Sequence, residues 1–176
     1  MFLKEGNIMI GLPKGEVFLT QWTDTWQEEF LLEKKRIENV IGEYIVDIHH
    51  VGSTSIKGLS AKPIIDIAIE IHDFNDGENC AEPLKYLSYE YRGTDMLPNR
   101  HYFSKGNPRT HQIHMHQKGD KLLLEQLKFR DYLLQNESAR IEYEKLKIKL
   151  AEEHKNNLPK YTESKSEFIK NILKMV

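Results

Sequence analysis

The segment "HHVGSTSIKGLSAKPIIDIAIEI", residues 49–71, joins a short Gly-Ser loop to an apolar run that contains the carboxylate of Asp66. Residues 63–71 predict a strand because they are rich in isoleucine. A Gly-Ser turn presents backbone N–H groups and a hydroxyl, which bind phosphate oxygens. A strand carboxylate nearby can hold Mg²⁺, which prefers oxygen ligands. The segment therefore indicates a site for a phosphorylated ligand and its metal, while a purely structural turn with a hydrogen-bonded carboxylate remains the alternative.

On the N-terminal side of this segment, the pattern predicts a strand, a helix and a second strand. Residues 16–22 are apolar and β-branched, as is typical of a short strand. Thr25 followed by Glu28 has the spacing of a capping box, so a helix is expected to begin there and to end at Gly42. Residues 44–50 predict the strand that leads into the Gly-Ser loop.

On the C-terminal side, mixed elements give way to helices. Residues 82–91 predict a short helix that runs into a strand, and residues 101–106 and 111–117 predict a hairpin. From Asp120 onward the apolar residues recur at helical spacing, and Pro159 separates the last two helices. The three expected helices cover residues 120–135, 137–154 and 162–175.

The bulk composition narrows the class of protein. A length of 176 residues predicts a single domain over residues 1–176, with a mixed α/β core at about 11–119 and a helical part at about 120–176. The net charge of −2 provides no strong nucleic-acid signal and no attraction to a membrane surface. Cys80 is the single cysteine, which excludes an internal disulfide framework. With neither a secretory signal pattern nor a long apolar run, the expected location is cytoplasmic and no membrane partner is expected.

Four blocks of the sequence resemble, in the same order, those of the GrpB family, which is placed in the nucleotidyltransferase fold superfamily of DNA polymerase beta. They are "HVGSTSIKGLSAKPIIDI" (50–67), "RTHQIHMH" (109–116), "FRDYL" (129–133) and "YTESKSEFI" (161–169). The resemblance implies an α+β fold: a nucleotidyltransferase-like mixed β-sheet with flanking helices and a helical C-terminal third. Because the role of the family is poorly defined, the resemblance implies a fold and a candidate site more than a reaction.

The superfamily pattern is a Gly-Ser pair followed, roughly ten residues later, by Asp-x-Asp or Asp-x-Glu on a strand. Gly52, Ser53 and Asp66 match it, but the second acidic position is Ala68. Glu70 shares the strand face of Asp66 but lies about 13 Å away at a rise of about 3.3 Å per residue. A standard two-metal site, with metal ions about 4 Å apart, is therefore not expected. A single metal on Asp66, or none, fits the sequence better.

Histidines add a second type of ligand. Four of the eight histidines lie in residues 101–116, and His114 and His116 are two apart, so they share one strand face. Imidazole beside a carboxylate favours Zn²⁺ or Mn²⁺ over Mg²⁺. Asp66, His114 and His116 are therefore the predicted metal ligands, with Mg, Mn or Zn as the possible cofactor. Asp66 and His114 are the predicted catalytic residues, the histidine acting as ligand or general base.

Basic residues suggest an anionic ligand. Residues 99–118 contain four Lys or Arg and no acid, which suits a phosphorylated molecule, although a solvated hairpin would look the same. Arg130 and Lys165 lie in family-like blocks, where they either close over an anion or pair with Asp131 and Glu167. The predicted phosphate- or nucleotide-binding residues are Gly52, Ser53, Thr54, Lys62, Arg109, Arg130 and Lys165.

Three functions are compatible with these residues. The first is a nucleotidyltransferase that acts on an unknown acceptor. The second is a non-catalytic nucleotide-binding or interaction module, which the alanine at the second acidic position favours. The third is a His/Asp metal-dependent enzyme. We expect a phosphorylated small molecule or nucleotide as the partner, with binding retained and classical nucleotidyl transfer weak or absent.

Overall fold

Five strands form one mixed sheet in the order β1-β2-β5-β4-β3. The computed structural model of the protein describes residues 10–95 and 99–176. The strands are β1 (Ile45–Val51), β2 (Ile65–Ile71), β3 (Tyr89–Tyr91), β4 (His101–Lys105) and β5 (His111–Gln117). β2 and β5 are parallel, and the other neighbouring pairs are antiparallel. The strands expected at 44–50 and 63–71 and the hairpin at 101–117 are confirmed.

Seven α-helices flank this sheet in the part of the chain described. They are α1 (Asp24–Ile41), α2 (Asp76–Asn79), α3 (Ala81–Lys85), α4 (Lys121–Gln135), α5 (Glu137–Glu153), α6 (Leu158–Glu163) and α7 (Ser166–Leu173). The expected α+β class, with a helical C-terminal third, is confirmed. None of the helices within these described ranges is long and apolar enough to cross a membrane.

The register of β2 against β5 determines which side chains can form a site. Asp66 lies opposite Gln112, and Ala68 lies opposite His114. Because side chains alternate along a strand, these residues share one face of the sheet, which we call the site face. The isoleucines between them, such as Ile67, point to the opposite face.

The opposite face carries the main apolar core. Ile65, Ile67, Ile69 and Ile71 of β2 are fully buried in one cluster with Trp26, Phe30, Ile37 and Ile41 of α1. The helix begins two residues earlier than the expected capping box. Thr23 is the N-cap, and its hydroxyl accepts a hydrogen bond from the N–H of Thr25 at 3.3 Å.

The C-terminal helices cover the site face. Leu123 of α4 packs against Val51 and Ala68. Tyr143 of α5 lies in a second cluster with Ile56 of the loop that follows the Gly-Ser pair. The helical third therefore closes one side of the Gly-Ser loop and does not stand apart from the sheet.

Two expected elements differ in the structure. Residues 16–22 do not form a strand of the sheet: Thr20 and Ala61 exchange backbone hydrogen bonds of 2.8 and 2.9 Å as an isolated bridge. The segment is extended as expected, but its partner is a loop and not a strand. The helix expected at 162–175 is two helices, α6 and α7, and Pro159 lies in the first turn of α6, where a missing N–H costs nothing.

Candidate functional site

Gly52 allows the Gly-Ser loop to approach β2 closely. Its φ is +71°, a conformation that side chains rarely adopt, and a Cβ on it would lie 2.4 Å from Oδ2 of Asp66. After it, Ser53–Ser55 form a single 3₁₀ turn, in which the N–H groups of Ser55 and Ile56 bond to carbonyls at 3.3 Å. The first N–H groups of the turn, those of Ser53 and Thr54, are not used by these bonds. The loop therefore has backbone donors beside the carboxylate.

Asp66 is held by a polar network on the site face. Its Oδ1 accepts a hydrogen bond of 2.6 Å from Nε2 of Gln112. Oε1 of Gln112 in turn accepts from the Tyr102 hydroxyl at 2.6 Å and from Arg109 at 3.4 Å. Burial raises the pKa of Asp66 above its ordinary value, while Lys62 and the other donors oppose that rise. The carboxyl group is thus fixed in position and is a stronger base than an exposed aspartate.

A cavity of about 430 Å³ opens between the Gly-Ser loop and helices α4–α7. Its size is that of a small-molecule site. It brings together eight of the predicted residues: Gly52, Ser53, Thr54, Lys62, Asp66, His114, Arg130 and Lys165. Ser53, Asp66 and one of the two predicted histidine ligands, His114, therefore line the same cavity. Their roles in binding or catalysis stay predictions.

Two lysines of the lining, Lys62 and Lys165, contribute to the positive charge of the cavity, and a third, Lys147, is buried near them outside the lining. Nζ of Lys165 and Nζ of Lys62 lie 4.3 and 5.8 Å from the centre of the Tyr161 ring. Burial and the nearby Lys62 ammonium lower the pKa of Lys165 to about 7. Lys147 is only 1% exposed and donates to the carbonyl of Ser60, and burial holds its pKa well below the usual range. An anion in the cavity would offset the repulsion among these amines.

Two buried polar atoms of the cavity lining lack a hydrogen-bond partner within residues 10–95 and 99–176. They are Nε of Arg100 and Nδ1 of His114. Buried polar atoms are normally paired, so these two are available to a ligand. The His114 ring stacks on Tyr102 at 5.3 Å, and burial lowers the pKa of His114 to about 3. His114 is therefore neutral at pH 7 and a weak proton acceptor there.

Arg100, Lys147 and Gln112 were not predicted as site residues. Arg100 belongs to the basic stretch 99–118 but lies outside the family-like blocks. Gln112 could have been found from strand parity, since it alternates with His114 on β5. Lys147 lies on a Glu/Lys-rich helix, and nothing in that pattern distinguishes a buried lysine from the solvated ones around it.

His116 is not part of the cavity lining. Its ring is fully buried, and its Nδ1 donates to Asp120 at 3.0 Å. Asp120 is the N-cap of α4, and it also accepts from the N–H of Leu123. Because His116 lies about 6.6 Å along β5 from His114, the start of α4 covers it. The structure therefore does not join His116 to Asp66 and His114 as a metal-ligand set.

Thr54 and Arg130 line the cavity but also make structural bonds. The Thr54 hydroxyl donates to the carbonyl of Ile64 at 3.2 Å and lies 3.0 Å from Nε2 of His50. Arg130 donates to the carbonyl of His50 at 3.0 Å and to Asp131 at 2.7 Å, which is the ion pair considered as the alternative. A ligand would share these groups with the fold.

The residues present do not fit a two-metal centre. Ala68 is fully buried beneath Leu123, so the second acidic position faces protein and not the cavity. Glu70 is paired with His49 at 2.9 Å. Asp66 already has one oxygen on Gln112. The other carboxylate of the cavity lining, Glu125 on α4, lies 3.8 Å from Lys121 and is not on the sheet. No second strand carboxylate faces the cavity, so no catalytic step through a metal pair follows from it.

Among the described residues, one group of three His, Cys, Asp or Glu side chains has its ligand atoms within 4.8 Å of one another. This group lies on the opposite face of the sheet. The group is Glu29, Glu33 and His111. Glu33 is fully buried and already bonded to Lys105 at 2.6 Å and to Arg36 at 3.0 Å. Burial lowers the pKa of His111 to about 4. Two cations thus neutralise this cluster, which lies away from the cavity.

The fold and site define a class: a mixed-sheet protein whose Gly-Ser loop and single strand carboxylate face a lysine-rich cavity. Residues 16–175 match the model of the GrpB protein family. The chain is 37% identical over 171 residues to the glutamate-rich protein GrpB of Alkalihalophilus pseudofirmus, covering 94% of this chain and 98% of that one. The chain belongs to the GrpB family.

Three further comparisons describe one relative and two structural neighbours. UPF0157 protein YqkA of Bacillus subtilis is 39% identical over 159 residues, which are 90% of this chain but 46% of YqkA, so the chain spans about half of that relative. The crystal structure of GrpB from Enterococcus faecalis superposes with a TM-score of 0.83 at 33% identity, over 90% of this chain and 96% of that one. Structural neighbours also include the Cid1 poly(U) polymerase, at a TM-score of 0.47 and 10% identity over 75% of this chain and 43% of that one. Such a distant match says nothing about the chemistry of this chain.

Proposed function

We propose that the cavity binds a phosphorylated small molecule of the nucleotide class. The observation that carries this proposal is the excess of cations over carboxylates in the cavity lining, beside the backbone N–H groups of Ser53 and Thr54. The cations are Lys62, Arg100, Arg130 and Lys165, and the carboxylates are Asp66 and Glu125. Phosphate oxygens are the acceptors that such donors bind best. In this arrangement the Ser53 loop, Lys62 and Lys165 hold the phosphates.

The rest of the ligand is expected to lie on the helical wall of the cavity. Phe129 of α4 and Ile169 and Leu173 of α7 line that side. Tyr143 lies between Phe129 and Phe168, with ring centres 5.2 and 5.1 Å away. An apolar wall beside a charged floor suits a nucleoside attached to a phosphate chain.

Binding is expected to proceed without a divalent metal. Amines already provide positive charge where a two-metal centre would use ions, and the second carboxylate that would hold a metal is missing. We therefore expect affinity for the ligand in the presence of a chelator. A Mg, Mn or Zn requirement would instead mean that Asp66 and the phosphates hold one ion between them.

Nucleotidyl transfer is the second candidate, favoured by the position of Asp66 beside the phosphate loop. In that reaction the acceptor oxygen forms a bond to the α-phosphorus, and pyrophosphate leaves with the electron pair of the broken P–O bond. Asp66, with its raised pKa, would take the acceptor proton, since neutral His114 is too weak a base. A His/Asp metal-dependent enzyme has no comparable support, because His116 is held by Asp120.

The experiment is a calorimetric titration of the protein with ATP, GTP, CTP and UTP, with EDTA and then with Mg²⁺, Mn²⁺ or Zn²⁺. We expect at least one nucleotide to bind, and Ser53→Ala to weaken it by about tenfold, or about 1.4 kcal/mol. Lys85→Gln is the matched control, because Lys85 is exposed on α3 and remote from the cavity. If no nucleotide binds, or if Ser53→Ala binds as well as Lys85→Gln, the proposed function is wrong.

A further inference from the structure

A second cavity, of about 480 Å³, lies at the turn between β4 and β5 and shares no lining residue with the first. Four parts of the chain form its walls: the N-terminal segment around Lys14, residues 88–92 at β3, the turn between β4 and β5, and the start of α6 at Leu158. Its floor includes Ser104, which shares the site face with Gln112, its partner in the β4–β5 register. Both cavities therefore open over the same face of the sheet.

The N-terminal segment is fixed over this cavity by backbone bonds. Leu12 and Arg109 exchange hydrogen bonds of 2.9 and 3.0 Å between their main chains, and Leu12 is buried. Further along, the N–H of Val17 donates to the carbonyl of Lys155 at the end of α5. These two anchors place Lys14 and Gly15 at the hairpin turn, so the cavity has a defined shape.

The charges of the second cavity do not cancel. Arg92 contacts Glu90 and also donates to the Ser104 hydroxyl at 2.9 Å. Lys14 and Arg109 form no ion pair with any residue in the described ranges 10–95 and 99–176. With Arg92 balanced by Glu90, two positive charges are left facing one cavity. Such a pair of cations attracts a carboxylate or a phosphate group.

Arg109 links the second cavity to Asp66, the strand carboxylate of the first cavity. Its guanidinium donates to Oε1 of Gln112 at 3.4 Å, and Nε2 of Gln112 donates to Asp66 at 2.6 Å. A ligand bound to Arg109 thus lies one side chain away from Asp66. Arg109 was predicted to bind the phosphate of the first ligand, but the structure places it in the lining of the second cavity.

We propose that the second cavity binds a second small ligand through a carboxylate or phosphate group placed between Lys14 and Arg109. Binding there does not require the proposed function. The role of this ligand as the acceptor of a nucleotidyl group does rest on that function, since it needs a nucleotide in the first cavity.

The test is a titration of ¹⁵N-labelled protein followed by NMR, with inorganic phosphate or acetate as the probe and chloride at matched ionic strength as the reference. We expect saturable shifts of the amides of Lys14, Gly15 and Asn107 with at least one anion. A response to acetate alone assigns a carboxylate ligand, and a response to phosphate assigns a phosphate-bearing one.

Variants show whether the two cations carry this response. Arg109→Gln and Lys14→Gln are each expected to weaken it at least tenfold, and Lys14→Gln alone suffices if the arginine variant fails to fold, because Lys14 is exposed. Lys118→Gln, an exposed lysine outside the cavity lining, is the control for the loss of one charge. The proposal is overturned if neither anion gives saturable shifts, or if the shifts survive in Lys14→Gln as they do in Lys118→Gln. Shifts at Ser53 and Thr54 report the first cavity separately, so their absence would contradict the proposed function and leave the second site standing.

Discussion

Gly52 illustrates how one residue places the Gly-Ser loop and the carboxylate of Asp66 next to each other. Its positive φ and the 2.4 Å that would separate a Cβ from Oδ2 of Asp66 both require glycine. The sequence predicts the Gly-Ser motif as a phosphate-binding loop, and that role stays a prediction. The contact with Asp66 was not predicted, because it depends on how closely β1 and β2 pair at Val51 and Asp66.

Gly52→Ala should therefore weaken both stability and binding. Gly119→Ala is a matched control, since Gly119 has a φ of +81° but no atom within 4 Å of its ideal Cβ. We expect Gly119→Ala to cost about 1–2 kcal/mol of unfolding free energy from backbone strain alone. Gly52→Ala should cost more, and it should lower nucleotide affinity because Asp66 is displaced. If urea denaturation shows the same loss of unfolding free energy for both variants, and Gly52→Ala binds nucleotide as tightly as the parent, the close contact between Gly52 and Asp66 is contradicted.

His114 makes stability depend on pH. Its pKa is lowered to about 3 by burial, so the folded protein resists its protonation, while the unfolded chain takes up the proton near pH 6.5. The stability contributed by its neutral form is complete above pH 6.5 and is lost as pH falls from there toward 3. His50, also lowered to about 3, acts in the same direction.

The check is urea denaturation of the parent protein and of His114→Gln between pH 6 and pH 4. Each histidine with this behaviour adds a slope of about 1.4 kcal/mol per pH unit. We expect the plot of unfolding free energy against pH to be less steep for His114→Gln than for the parent, by about that amount. Parallel curves would mean that His114 is solvated in the folded protein.

At the scale of elements, β2 is the strand whose sequence predicts most about the fold and the candidate site. Its isoleucine-rich run predicts a strand with both faces covered, and its two-residue period places Asp66 on the site face. The expectation for 16–22 was wrong because β-propensity does not reveal whether a strand partner is available. The break between α6 and α7 at Ser164–Lys165 has no glycine or proline to announce it.

Ala68 on the same strand gives a sharp prediction about the missing acid. Because Ala68 is buried beneath Leu123 and does not line the cavity, Ala68→Asp should not create a metal site. It should destabilise the protein by several kcal/mol, since a charge is buried without a partner. Ala68→Val is the control for added volume without charge, and it should lower the free energy of unfolding by about 1–3 kcal/mol.

Activity assays and denaturation together decide this point. The expected result for Ala68→Asp is a large loss of stability and no gain of nucleotidyl transfer with Mg²⁺ or Mn²⁺. A stable Ala68→Asp protein that transfers nucleotides faster than the parent would show that the second acidic position does reach the site.

At the scale of the whole molecule, the site is built from parts distant in the sequence. The loop at 52–54 and Asp66 come from the front of the chain, and Arg130, Tyr143 and Lys165 come from three places in its helical third. The sequence motifs predicted the loop at 52–54 and Asp66. Of the three residues from the helical third, they predicted Arg130 and Lys165. Lys62 and Lys165 were predicted to belong to one site, but the presence of Lys147 near them was not, since it depends on how α5 packs over the loop.

The lysines also provide the most direct test of the central claim that the first cavity binds phosphate. The pKa of Lys165 is lowered to about 7, so its ammonium form is populated below that pH and lost above it. A bound phosphate favours the charged form, so affinity should fall as pH rises through 7. The measurement is the dissociation constant of ATP, in EDTA, by calorimetry at pH 6.5 and pH 8.5. We predict that the parent protein binds about tenfold more weakly at the higher pH and that Lys165→Gln binds weakly at both. Absence of binding, or a dissociation constant that neither the pH nor Lys165→Gln changes, would contradict the account.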